Sequence, residues 1–286
     1  MRRKIGEGGW TMRFSAFLLV AIFVTTWMGK AGQPADKADK ILKRFVEEFV
    51  LLTPGQDKYP ASFMMGSKSG PEAEQPVHKV TLAYPFATAK YEVTQELYEV
   101  IAGKNPSKWK GPRNSVEMVS WDEANTFCRK VTAELHKRKL LAKDQVIRLP
   151  SEAEWEYACR AGTTGKYSFG DKEADLGIYC WFTGNAKGND PPVGAKKPNP
   201  WGFYDMHGYV WEWCADTWHA DYKNAPTDGS AWVDAKVKER VLRGGAWTEV
   251  ADKCRSAYRF FAVPETRTPA IGFRCVQVKK GSGNER

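Results

Sequence analysis

The sequence predicts an irregular α+β fold of low regular secondary structure, with two main helices against short antiparallel strands in a single domain. Three observations predict it. A Ser-x-x-Glu helix start occurs twice, at Ser120 with Glu123 and at Ser151 with Glu154. Apolar runs of strand length are few and short. The 286 residues also include 12 Trp, 16 Pro and 25 Gly. Large rings bury much area each, so they hold a core in which turns outnumber long periodic segments.

The elements follow in order. Basic residues between Arg2 and Arg13 precede an apolar run from Phe14 to Met28, and small residues follow at Gly29 and Ala31. This is the plan of a secretory signal over residues 1–31, with cleavage expected after Ala31. At about 15 residues the run is shorter than the roughly 20 that span a bilayer, so membrane attachment is expected only through an uncleaved signal. Residues 32–45 read as a linker entering a short helix, 46–279 as the domain and 280–286 as a polar tail. Phe45 to Leu52 is apolar enough to begin the core, and a short helix is expected from Gln95 to Ala102.

Ser120 and Glu123 form a capping box, in which each side chain satisfies a backbone N–H at the helix start. Ala124, Phe127, Cys128, Val131 and Leu135 then recur at helical spacing. Val146 to Leu149 reads as a strand, after which Ser151 and Glu154 repeat the capping device and Gly162 supplies a stop. Further strands are expected at His78 to Leu82, Arg240 to Arg243 and Gly272 to Val278. Between Gly162 and Lys238 the sequence reads as turns and aromatics without periodicity.

Composition excludes several classes. The formal charge is +9, but Arg2, Arg3, Lys4, Arg13 and Lys30 against Glu7 place four of those charges in the first 31 residues. The remaining charges mix both signs with no basic stripe, which argues against nucleic acid. Export to the periplasm, the medium or the cell surface makes six cysteines a candidate disulfide set: Cys128, Cys159, Cys180, Cys214, Cys254 and Cys275. Spacing alone leaves every pairing open, and no CxxC supports a zinc ribbon or thioredoxin-like motif. Asp205, His207, Glu212, Asp216, His219 and Asp221 lie close in sequence, but their spacing matches no known metal-ligand set. No GxSxG, Walker or Rossmann fingerprint occurs.

Several stretches carry a family pattern in order. They are Phe63-Met64-Met65-Gly66-Ser67, Glu92-Val93-Thr94, Val119-Ser120-Trp121 and the run from Arg148 to Ala158. Asn199 to Gly208, Val210-Trp211-Glu212-Trp213, Leu242 to Trp247 and Gly272-Phe273-Arg274 complete the series. The whole resembles the formylglycine-generating-enzyme (sulfatase-modifying-factor) domain, a fold related to C-type lectins, over about 230 residues. The residues have plainer roles too. Trp155, Trp201, Trp211 and Trp213 suit core pillars, Gly244 and Gly245 suit a close backbone approach, and Arg274 suits a buried carboxylate.

The resemblance implies an activity: oxidation of a sulfatase-type cysteine to formylglycine with dioxygen and copper. Soft Cu(I) is held well by two thiolates. In the active pattern a Gly-Gly-Ser motif precedes one cysteine, and a second follows five residues later. Here Cys254 falls on the second position, Glu249 on the first and Ala246 on the serine. Tyr209 replaces an Asn that in the family helps to hold calcium, for which an oxygen ligand is required. These departures argue against an intact oxidase, so no cofactor is expected, with copper implied only if the oxidase reading holds and calcium doubtful. The resemblance also implies a Cys159–Cys275 bridge. Cys214, next to a segment that borders the family's active cleft, is expected to pair with Cys254.

The expected function is therefore a binding or scaffold module that recognises a polypeptide, such as a sulfatase-like protein, or a glycan. Its expected cleft is aromatic: Trp211, Trp213, Trp218, Trp247 and Tyr258. The alternatives are the copper oxidase and a structural partner in a larger assembly, docked through Ala35 to Leu52.

Overall fold

A strong amphipathic pattern in Lys37 to Val46 builds the first helix, α1 (Pro34–Glu47). The computed structural model describes Met1 and residues 34–188 and 190–282, so the expected signal lies almost wholly outside the described residues. Ile41, Leu42 and Phe45 of α1 are buried in the main core. Each such side chain contributes about 1.5–3 kcal/mol on burial. Arg138 donates to Asp39 at 2.7 Å and pins the helix from outside. The segment proposed as a docking arm therefore packs on its own domain.

Strand β1 (Phe49–Leu52) follows at once. A hairpin of β2 (Ser62–Met65) and β3 (His78–Thr81) comes next, then β4 (Phe86–Ala89). Helix α2 spans Gln95–Ala102 and stops at Gly103, whose φ of 74° suits a residue without Cβ. Both expected capping boxes are present. Ser120 and Glu123 start α3 (Trp121–Lys137), whose buried face is Ala124, Phe127, Cys128, Val131 and Leu135. Strand β5 (Gln145–Arg148) leads to α4 (Glu152–Arg160), started by Ser151 and Glu154. A single turn, α5 (Leu176–Tyr179), interrupts the long irregular stretch.

The remaining strands are β6 (Trp211–Thr217), β7 (Arg240–Arg243), β8 (Arg259–Ala262), β9 (Ile271–Gly272) and β10 (Val276–Lys279). One sheet has the order β1-β4-β10-β5, the other β8-β7-β6-β9. All pairs are antiparallel except β6 with β9, which is parallel, a departure from the expected pattern. Strand β6 is also a departure, because it falls where the sequence reads as irregular. Six of its seven residues are buried, so a strand inside the sheet shows no apolar–polar alternation.

Buried ion pairs tie these layers together. Arg243 reaches Glu156 at 2.5 Å and Glu152 at 3.1 Å, and Arg259 grips Glu152 at 2.6 and 2.9 Å. Arg274 grips Glu212 with two contacts of 2.6 Å. Every member of this set is buried, so each charge depends on its partner for the hydration it lost.

Candidate functional site

Strand β7 delivers the chain into Gly244 and Gly245, which have φ of 101° and 80°. A Cβ on Gly245 would stand 2.7 Å from the Cys254 Sγ, so only glycine lets the strand turn this tightly over the thiol. Ala246 is then fully buried, and Trp247 emerges half-exposed. Three segments are laced at this point by backbone hydrogen bonds. Trp247 N–H donates to Tyr209 O at 2.9 Å, Tyr209 N–H to Trp181 O at 2.8 Å and Thr183 N–H to Glu249 O at 3.0 Å.

Glu249 is held from two sides. Lys253 pairs with it at 2.8 Å, and the indole Nε1–H of Trp211 donates to it at 3.3 Å. Cys254, at the end of the short turn Ala251–Cys254, is fully buried. Its side chain sits in an apolar cluster with Tyr167, Leu176, Cys180 and Ala251. The donors at the two key positions are thus one buried thiol and one carboxylate already paired with an ammonium. That set does not fit a pair of thiolates on soft copper.

Tyr209 occupies the left-handed region, with φ of 76°, a conformation that Asn adopts far more readily than a bulky ring. Its hydroxyl lies 2.8 Å from Asp190 Oδ1 and 2.6 Å from Pro191 O, and it accepts from Ser115 N–H at 3.2 Å. The phenol oxygen is therefore committed to protein partners rather than free for calcium. Nearby, both carboxylate oxygens of Glu92 and the Oδ1 of Asp205 are buried without a hydrogen-bond partner. Burial and the Asp205 charge push Glu92 well above the usual carboxylate range, and burial raises Asp205 to about 6. Glu212, the third acid here, is already taken by Arg274 and by the Trp155 indole at 2.7 Å. Among the described residues no group of three His, Cys, Asp or Glu is arranged to hold a metal ion.

The expected aromatic cleft separates into two populations. Trp213 is fully buried and donates to Val119 O at 2.9 Å, and Trp211 is buried beneath Phe260 with ring centres 5.1 Å apart. Trp218, Trp247 and Tyr258 are half-buried. Trp218 lies 4.5 Å from Phe261, and Trp211 lies 6.0 Å from Tyr258. The exposed rings on this strand are Phe260 and Phe261 of β8, with Val263 two residues further on also exposed. The sequence reading missed these two, because a Phe-Phe pair in a short strand looks like core. A cavity of about 720 Å³ exists elsewhere, its lining mixing charged groups such as Lys68, Arg160, Asp171 and Arg255 with Met64 and Val77.

The sulfurs of the expected pairs have other neighbours in the structure. Cys275 faces Cys128, with sulfurs 3.8 Å apart. Cys159 instead lies 3.6 Å from Met206 O and 3.9 Å from His207 Nδ1, and burial raises its thiol to about 12. Cys214 is 3.9 Å from Glu212 O in the second core cluster, away from the Cys254 cluster. Separate core clusters hold Cys128 with Cys275, Cys159 with Cys214 and Cys180 with Cys254, a grouping that sequence spacing does not encode. Lys253 was detectable in principle, since it follows Glu249 by four residues.

Comparison with known proteins places the chain in context. The sulfatase-modifying factor enzyme 1-like domain pattern matches residues 36–279. The chain is similar to the chaperone protein LppX of Paenibacillus barcinonensis, with 30% identity over 70% of this chain and 82% of that protein. It is 27% identical to the formylglycine-generating enzyme of Mus musculus, over 82% of this chain and 62% of the enzyme. It is 28% identical to the serine/threonine-protein kinase pkn1 of Chlamydia pneumoniae, spanning 96% of this chain but only 44% of the kinase's length. Among solved structures, PvdO from Pseudomonas aeruginosa superposes with a TM-score of 0.68 and 33% identity, covering 80% of this chain and 94% of PvdO.

Proposed function

The chain belongs to the sulfatase-modifying factor enzyme 1-like domain family, and from that premise we propose an exported, non-catalytic member that binds an extended polypeptide along β8. One observation carries the reading. Strand β8 is the edge of its sheet, and it exposes Phe260 and Phe261 side by side. Each ring is backed by a tryptophan, Trp211 or Trp218. An edge strand offers unpaired backbone groups to an incoming strand, and rigid aromatics give it grip. The similarity to LppX, a chaperone protein, supports a polypeptide partner. A glycan stacked on the same rings, or a sulfatase-like protein, is a narrower version of this proposal. Export rests on the basic and apolar segments of residues 1–31.

The copper oxidase is the competing reading. The pairing of Glu249 with Lys253 and the burial of Cys254 speak against it. An array of extended peptides, probed with the wild-type chain and with Phe261→Asp, tests the binding role. Capture by the wild type and loss in the variant, with unchanged circular dichroism, is the expected result. Identical profiles for both proteins would defeat it. A second assay supplies Cu(I), dioxygen and a Cys-X-Pro-X-Arg peptide and looks for aldehyde by mass spectrometry. Turnover abolished by Cys254→Ser would establish the oxidase instead.

A further inference from the structure

We propose that Cys180 and Cys254 form a disulfide that fastens the loop at 180–186 to the loop at 247–254. Both cysteines belong to one small buried cluster, completed by Tyr167, Leu176 and Ala251 with Phe169 and Phe182 packed against it. The side chains of this cluster are apolar or aromatic, and the Cys254 sulfur has Val250 O at 3.7 Å. A neutral disulfide suits such a cage, whereas a thiolate or a charged metal complex would lose its hydration there. The two loops are already in register. Thr183 donates its N–H and its hydroxyl to Glu249 O, both at 3.0 Å, and Asn185 donates to Cys180 O at 2.9 Å.

The reaction is a thiol–disulfide exchange with a disulfide-bearing partner, either a small-molecule disulfide or an oxidised dithiol protein. One thiolate attacks the partner's S–S bond and forms a mixed disulfide. The second thiolate then displaces the remaining partner sulfur. One S–S bond forms in the chain, two electrons pass to the partner, and the two protons end on its thiols. Because both sulfurs are fully buried in the folded chain, the bond closes before this cluster packs. It spans about 75 residues, a long loop whose closure restricts the unfolded chain strongly. The inference concerns sulfur alone and stands whether or not β8 binds a polypeptide.

The test uses the full chain, refolded with oxidised and reduced glutathione and digested without reduction. The expected product is a Cys180 peptide linked to a Cys254 peptide, about 2 Da lighter than the reduced pair. Reductant should lower the Tm of the wild type by roughly 5–10 °C through this bond. The double variant Cys180→Ala/Cys254→Ala should keep the fold and lose that part of the reductant effect. Three results would each overturn the proposal: both residues alkylated in denatured, unreduced protein, Cys254 linked to another cysteine, or a Cu(I) ion bound by the intact thiols.

Discussion

The imidazole of His207 lies 2.9 Å from the carbonyl oxygen of Cys254 through its Nδ1. The Ser168 N–H donates to the other ring nitrogen at 3.0 Å, so Nε2 is an acceptor and Nδ1 carries the proton. One neutral ring thus fastens the Cys254 turn to the Ser168 segment. Burial holds His207 down to about 4, below its ordinary 6.5. The folded chain therefore binds this proton less readily than the unfolded chain. The resulting stability is complete above pH 6.5 and is lost as pH falls through 6.5 toward 4, with a magnitude on the order of 3 kcal/mol. Urea titrations of wild type and His207→Gln across that window should show a steeper acid loss for the wild type. Asp216, raised by burial to about 7, acts with the opposite sign but is common to both proteins. Parallel curves would remove His207 from this role.

Arg274 and Glu212 form the second testable relationship. Both are buried and meet through two contacts of 2.6 Å. Arg274→Met leaves the Glu212 charge without its partner and should destabilise the chain by about 3–5 kcal/mol. Chemical denaturation measures this directly. A loss below about 1 kcal/mol would mean that Glu212 is protonated or repartnered.

Glu249→Cys restores a thiol at the first position of the copper pair implied by the family pattern. It releases a partly exposed Lys253 pair, which should cost no more than about 1 kcal/mol. Aldehyde formation on a Cys-X-Pro-X-Arg peptide should stay at background, since Cys254 remains fully buried in its apolar cluster. Measurable turnover in this variant would show that the single carboxylate was the whole obstacle.

Cys128 on α3 and Cys275 beside β10 stand with sulfurs 3.8 Å apart. Oxidative refolding should join them with a small rotation of the side chains. Peptide mapping should then find Cys128 with Cys275, and Cys159 and Cys214 as thiols that react only after denaturation. Recovery of the Cys159–Cys275 bridge would contradict the geometry.

Sequence alone determined the local devices. Ser120 with Glu123, Ser151 with Glu154 and the α2 segment were legible because a capping box and a helical stripe are encoded within a few residues. The family motifs and the departures at Glu249, Ala246 and Tyr209 were equally readable, since each is a matter of residue identity in order. Strand β6 was not readable, because burial on both faces erased its alternation. Tertiary structure alone decided which thiols meet, which tryptophans are core and which aromatics reach solvent. Cys180 lies 74 positions before Cys254, and their place in one buried cluster depends on how the 180–186 loop and the Gly245 turn pack together. Phe260 and Phe261 are exposed only because β8 ends a sheet whose order the chain's local pattern does not encode. Contacts between distant segments are set by the joint packing of the whole core, and no short window of residues contains that information.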